Sequence, residues 1–231
     1  MNHDAADLTT FSGTARLFPL PNMVLFPSVI QPLHIFEPRY RALLSDALGD
    51  DRLMALALLK PGWEEDYDKQ PPIFPVVCLG RIFKEERLTD GRFNLLLHGL
   101  SRARILEEMH TERPYRTARV ELLPESNDPA GKAGRDLRER LGEHMQRWLA
   151  PQQSALDQLN KLLRSGLSVG MLCDILAFAL PFEVERKQGL LEEMDPGRRV
   201  DQLLGHLTTL APPADSGNVT QRHFPPDFSA N

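Results

Sequence analysis

The chain has 231 residues, of which 42% are apolar and 26% charged, with a formal net charge of −5. The length suits one large domain or two small ones, and the composition suits a soluble globular protein with a real core. The mild acidity argues against broad, non-specific attachment to nucleic acid or anionic membrane, which calls for a basic face.

The N-terminal stretch MNHDAADLTT has neither the basic region nor the apolar core of a signal peptide, so a cytoplasmic protein is expected. Residues 1–13 read as a loose polar tail. The next segment, LFPLPNMVLFPSVIQPLHIFEPRY, is greasy enough to suggest a membrane helix, but it carries Pro19, Pro21, Pro27, Pro32 and Pro38. Each proline removes a backbone donor and drives the preceding residue towards extended geometry. No unbroken apolar stretch of the roughly 18 residues needed for a span survives. Short strands are expected around Arg16–Phe18, Val24–Phe26 and Gln31–Ile35, at edges, rims or bulges where proline is tolerated.

Pro38 fits the first position of a helix, and Tyr40, Leu43, Leu44, Ala47 and Leu48 then recur at helical spacing up to Gly49. Leu53–Leu59 is apolar throughout and reads as a buried strand, although periodicity alone does not separate it from a helix. The proline-rich acidic stretch PGWEEDYDKQPPIFP reads as a long loop. From Val76 the pattern is strongly β. VVCLGRIFKEERL and FNLLLHG flank the turn signal around Asp90-Gly91. LSRARILEEMH and YRTARVEL follow with partial alternation. Six or seven short strands with a single helix among them imply a closed or nearly closed barrel.

Pro124–Gly134 has the composition of a linker. Beyond it the period is helical: Leu137, Leu141, Met145, Trp148 and Leu149 share one face, and Leu156, Leu159 and Leu163 share another. Val169–Leu180 is apolar nearly all round and is expected to be the buried helix. Glu183–Glu193 and Arg198–Leu210 complete the set, with a turn at Asp195-Pro196-Gly197. Two units are expected, a β pseudo-barrel over 14–124 and a helical bundle over 130–211, with disordered tails at 1–13 and 212–231. Cys78 and Cys173 lie in apolar runs and read as buried thiols.

Several of these stretches, in this order, carry a family resemblance. LFPLPNMVLFPSVIQPLHIFEPRYRALL, CLGRIFKEERLTDGRFNLLLHGLSRARI, PYRTARVELLPE and LPFEVERKQGLLEEMDPGRRVDQLL together resemble the N-terminal substrate-binding domain of Lon-type ATP-dependent proteases over about residues 15–210. The resemblance implies an α+β fold: a PUA-like β pseudo-barrel with one short helix, followed by a C-terminal helical bundle. It does not carry over ATP hydrolysis or proteolysis. No G-x-x-x-x-G-K-[ST] occurs, and there is no room for a Ser-Lys protease domain. The expectation is a stand-alone domain that is not an enzyme and needs no cofactor.

Other candidate chemistry is thin. Gly166-Leu167-Ser168-Val169-Gly170 spells G-x-S-x-G, and Asp174, Asp195 and His206 follow it, but a nucleophile elbow needs a strand before the serine. The helical pattern before it points instead to a turn in which Ser168 caps the next helix. The seven histidines show no metal spacing. Glu64, Glu65, Asp66 and Asp68 lack the spaced ligands of a calcium loop. Residues 81–119 hold nine basic and six acidic side chains, with Arg81, Arg102 and Arg104 the candidates for an RNA-binding alternative. No aromatic stacking platform accompanies them.

The favoured expectation is a peptide-binding surface. Unfolded polypeptide, or a partner protein within the Lon protease system, would bind in a cleft between barrel and helices. Phe26, Ile35, Phe36 and Tyr40 are its wall candidates, with Trp63 and Phe74 contributed by the long loop.

Overall fold

The computed structural model describes residues 8–9, 11–66, 69–125 and 129–212. They form two compact units that divide after Pro124. The expected tails at 1–13 and 212–231 lie outside the described residues, apart from Leu8, Thr9, Phe11–Gly13 and Pro212. Of these, Leu8 and Phe11 pack against the barrel core.

The first unit holds six strands and one helix: β1 (Thr14–Leu20), β2 (Ile30–Ile35), α1 (Pro38–Leu48), β3 (Leu53–Leu58), β4 (Val76–Arg87), β5 (Phe93–Met109) and β6 (Thr117–Leu123). The strand order is β2-β5-β4-β3-β1-β6, and β5 also pairs with β6. Five strands therefore close into a ring, with β2 attached outside as a sixth. All pairs are antiparallel except β1 with β3.

The 17 residues of β5 form one continuous strand that takes in both FNLLLHG and most of LSRARILEEMH, read from the sequence as separate stretches. Its first half pairs with β2 and the end of β4; its second half pairs with the start of β4 and with β6. Three register shifts let it turn this corner, because an extra residue in one strand bends the sheet and increases its twist. Two of the extra residues are Phe83 and Leu106. They are also among the most exposed large apolar side chains, at 67% and 50%.

The interior of the ring is lined by every second residue of each strand: Ala15 and Leu17, Leu53, Ala55 and Ala57, Val77 and Leu79, Ala103, Ala118 and Val120. Many are alanine, as the narrow bore of a five-stranded barrel requires. On the opposite face of β3, Met54, Leu56 and Leu58 are buried as well. That two-sided burial is why the segment is apolar at every position.

Val24–Phe26 is the exception among the expected strands. All three side chains are buried, but the segment forms no strand. Its backbone lies against Gly99 instead, with Ser28 N–H donating to Gly99 O and Gly99 N–H donating to Val29 O, each at 2.8 Å.

The prolines sit where a missing donor is harmless. Pro32 lies in β2, which pairs with β5 alone. Pro38 opens α1. Pro19 falls in the half of β1 that pairs only with β3.

The second unit holds α2 (Gly131–Leu149), α3 (Gln153–Arg164), α4 (Val169–Ala179), α5 (Val184–Glu192) and α6 (Pro196–Leu207). α4 is the most buried, as its composition implies. Asp195 is not part of a free turn. It caps α6, its side chain accepting from Arg198 N–H, and Pro196 stands in the first turn. At the centre lies Arg199, fully buried, donating from Nη1 to Glu125 Oε1 at 2.6 Å and to Asp174 Oδ1 at 3.1 Å. Both cysteines are buried thiols outside any disulfide. Among the described residues, no helix is long and apolar enough to cross a membrane.

Candidate functional site

The β1–β6 ladder pairs Thr14 with Arg119 and Arg16 with Thr117, and Leu17 N–H still donates to Arg116 O at 2.9 Å. Continued two residues further, this register would set Pro19 opposite Pro114. Neither residue can donate to a ladder. Pairing ends, and the two segments part around a cleft of about 270 Å³. Pro19 and Tyr40 line one side. The 60–75 loop contributes Lys69, Gln70 and Pro71, and the 108–116 segment closes the other side.

Each wall is held by identifiable contacts. Tyr40 packs edge-on against Phe18 with ring centroids 4.5 Å apart, and its hydroxyl donates to Pro19 O at 3.5 Å. The long loop is closed on itself by Lys60 N–H to Pro72 O and tied to the end of β3 by Phe74 N–H to Leu58 O. Arg116 donates from Nη1 to Pro71 O at 2.8 Å while its other nitrogens grip both oxygens of Glu108. Tyr115 is buried, and its hydroxyl donates to Asp46 Oδ2 at 2.5 Å and accepts from Arg113 Nη1 at 3.0 Å. Burial and the neighbouring Asp46 carboxylate both raise the Tyr115 phenol above its ordinary value, so it remains a neutral donor at physiological pH.

The lining holds four cations, Arg39, Lys69, Arg113 and Arg116, beside the His110 imidazole and one carboxylate, Glu108. Arg39 is paired with Glu37 at 2.9 Å and lies over the Tyr40 ring. Arg116 is held by Glu108. Arg113 is half-exposed, and Asp46 stands 4.0 Å away, at the limit of an ion pair.

Of the six wall candidates, the structure brings only Tyr40 into this cleft. Phe26 and Ile35, at 0% and 2% exposure, are core residues with no surface for a ligand. Phe36 is exposed and stacks on His34. Trp63 is half-buried, packed against the barrel core. Phe74 is half-buried beneath the Lys60 ammonium. Sequence reasoning missed Arg113, Pro114 and Tyr115 as lining residues; Tyr115 reads as the first residue of a strand, which begins instead at Thr117. The available signal was a second proline that could match Pro19 across a ladder.

The competing chemistries find little support. Ser168 follows helix α3, not a strand, and its Oγ accepts from Met171 N–H at 3.1 Å as the cap of α4. Asp174 faces Arg199. Ser168→Ala is therefore expected to lower the stability of the helical unit by about 1 kcal/mol, the usual worth of such a cap, measured by urea denaturation. Unchanged stability would contradict the capping role. Among the described residues, no cluster of three His, Cys, Asp or Glu could hold a metal ion. Of the RNA candidates, Arg102 is 3% exposed and cannot reach a phosphate, Arg81 is half-buried, and only Arg104 is exposed.

Comparison with known proteins places this chain in a family. A family model described as the ATP-dependent protease La (LON) substrate-binding domain matches residues 14–209. The Lon protease of Desulfosudis oleivorans is 28% identical over 195 residues, covering 84% of this chain and 24% of that protein. Lon protease 2 of Myxococcus xanthus is 28% identical over 192 residues, 81% of this chain and 22% of that one. The chain thus spans about a quarter of the length of these curated relatives. Among solved structures, a Lon N-terminal domain protein from Xanthomonas campestris superposes with a TM-score of 0.60 at 25% identity, covering 83% of this chain and 97% of that one. The N-terminal domain of the Mycobacterium avium complex Lon protease gives 0.66 at 16% identity, covering 85% and 98%, and speaks to the fold alone.

Proposed function

The chain belongs to the Lon substrate-binding domain family, and from that premise we propose that it binds polypeptide without catalysing a reaction, recognising unfolded segments or a partner protein within a Lon-type proteolytic system. The observation that carries this reading is the interrupted ladder. Where β1 loses its neighbour at Pro19 and Pro114, strand backbone borders a cleft. An extended segment entering there meets the Pro19 carbonyl on one side and a wall of side chains on the other. Backbone contacts supply affinity in such complexes, and pockets for alternate side chains supply specificity. Tyr40 forms part of the floor. Trp63 and Phe74 share a loop with Lys69, Gln70 and Pro71, Trp63 against the barrel core and Phe74 under Lys60; with exposed Phe36 they are proposed as further apolar contacts. The RNA reading stands second. It rests on the basic stretch at 81–119, and the burial of Arg102 weakens it.

The test is fluorescence anisotropy of a labelled, permanently unfolded protein titrated with the full chain, at low and moderate salt, with a labelled RNA alongside. Binding to the polypeptide and not to RNA is expected. Trp63→Ala with Phe74→Ala should weaken it by about tenfold, in line with the loss of two aromatic contacts, while circular dichroism shows the fold intact. Binding to RNA with a steep salt dependence, or affinity unchanged in the double variant, would count against polypeptide recognition or against this loop respectively.

A further inference from the structure

We infer that the cleft selects polypeptide segments bearing carboxylates, with Arg113 as the residue that recognises them; this rests on the polypeptide-binding reading and narrows it to a chemical class. Four guanidinium or ammonium groups and one imidazole line the cleft, against a single carboxylate, on a chain whose overall charge is −5. Glu37 and Asp46, beside Arg39 and Arg113, offset part of the cleft's positive charge, but the cations still outnumber the carboxylates and favour an anionic segment at this opening.

The cations play different parts. Arg116 is consumed in holding the walls: it grips both oxygens of Glu108 and the Pro71 carbonyl. Arg39 is tied to Glu37 and to the Tyr40 ring. Arg113 differs. Its side chain is 50% exposed; Nη1 donates to the Tyr115 hydroxyl, the guanidinium lies 5.8 Å from the Tyr115 ring centroid, and Nε is 4.0 Å from Asp46. Nη2 is left available on a guanidinium whose orientation is already set. The buried Tyr115, itself anchored on Asp46 at 2.5 Å, fixes it from below. A fork held in this way loses little freedom on meeting a carboxylate, and charge-assisted bonds from arginine are among the stronger polar contacts available. Thr111 and His110 line the same cleft and can donate to the same group.

Nucleic acid would find the cations but no stacking surface, since Tyr40 is 6% and Tyr115 5% exposed. The anion favoured here is accordingly a carboxylate on an extended chain.

Three labelled, unstructured peptides of one sequence test this on the full chain by anisotropy: one with aspartate and glutamate, one with asparagine and glutamine in their places, and the acidic one with an amidated C-terminus. A labelled RNA serves as a competitor. The acidic peptide should bind at least tenfold more tightly than its amide counterpart, the advantage should shrink as salt rises, and Arg113→Gln should abolish it. Arg119→Gln, outside the cleft, should leave it intact. Loss of binding on amidation would assign the recognised carboxylate to the chain terminus, and unchanged binding would assign it to side chains. Equal binding of acidic and amide peptides overturns the inference while polypeptide recognition stands. Binding of neither overturns both. An advantage that persists in Arg113→Gln, with the protein folded by circular dichroism, removes Arg113 from the role, and tight RNA binding that displaces the peptide overturns the choice of ligand.

Discussion

Replacing Arg199 by alanine should destabilise the helical unit by about 3–5 kcal/mol, the range seen when one member of a buried ion pair is removed. The guanidinium is fully buried. It donates to Glu125 at 2.6 Å, to Asp174 at 3.1 Å, and to the Glu193 and Gly170 carbonyls. Asp174 is itself 3% exposed at the side chain, so removal of the cation strands a carboxylate in the interior of α4. Most of the cost comes from that uncompensated charge rather than from the missing hydrogen bonds. Arg199→Met with Asp174→Asn removes the charge on both sides and should recover much of the stability. The two tryptophans lie one in each unit, so Trp63→Phe leaves Trp148 as the reporter of the helical one. Urea denaturation followed by Trp148 fluorescence measures the difference. A decrease below about 1 kcal/mol would place the arginine in a wetter setting than its burial implies.

The second large effect is expected at Gly99, in the middle of β5. A Cβ built there would stand 2.1 Å from the Phe26 carbonyl oxygen and 3.2 Å from Cys78 Sγ. The obstacle is backbone, which does not rotate out of the way. The 26–29 segment would have to lift, giving up the bonds from Ser28 and to Val29 and opening the core around Leu25 and Phe26. Gly99→Ala should therefore cost at least about 3 kcal/mol, at the severe end of single substitutions. Gly205→Ala, within α6 where a Cβ meets nothing within 4 Å, is the control. It should stabilise by a few tenths to about 1 kcal/mol through helix propensity. Thermal melts of the two variants side by side separate them, and a Gly99→Ala protein as stable as the parent would mean that the segment packs elsewhere.

These two sites mark how far local pattern reaches. The helix opened by Pro38, the hairpin around Asp90-Gly91, the five helices of the second half and the cap at Ser168 were all legible, because each depends on residues within a few positions of one another. Val24–Phe26 was not. Its apolar run has the composition of a strand, but a glycine some seventy residues away supplies the surface it packs on. The single long β5 was hidden because bulges interrupt the alternation that would mark it as continuous.

The cleft was hidden more deeply. Pro19 reads as one of several strand-edge prolines and Pro114 draws no separate reading; only the register of β1 with β6, continued, would set them opposite one another. Once they are opposed, the failure of the ladder follows from elementary chemistry. The wall residues suggested by apolar character, Phe26 and Ile35, proved to be core. Greasiness alone does not distinguish a contact surface from an interior, whereas Arg113 carries no local pattern and Tyr115 reads as part of a strand.

Amide hydrogen exchange of the full chain, with and without a saturating unfolded polypeptide, tests most directly whether this opening is where a client binds. The account predicts slowed exchange concentrated at residues 69–70 and 108–116, with the core strands β3 and β4 unchanged. Protection confined to other surfaces, or none at all despite binding seen by anisotropy, would contradict it.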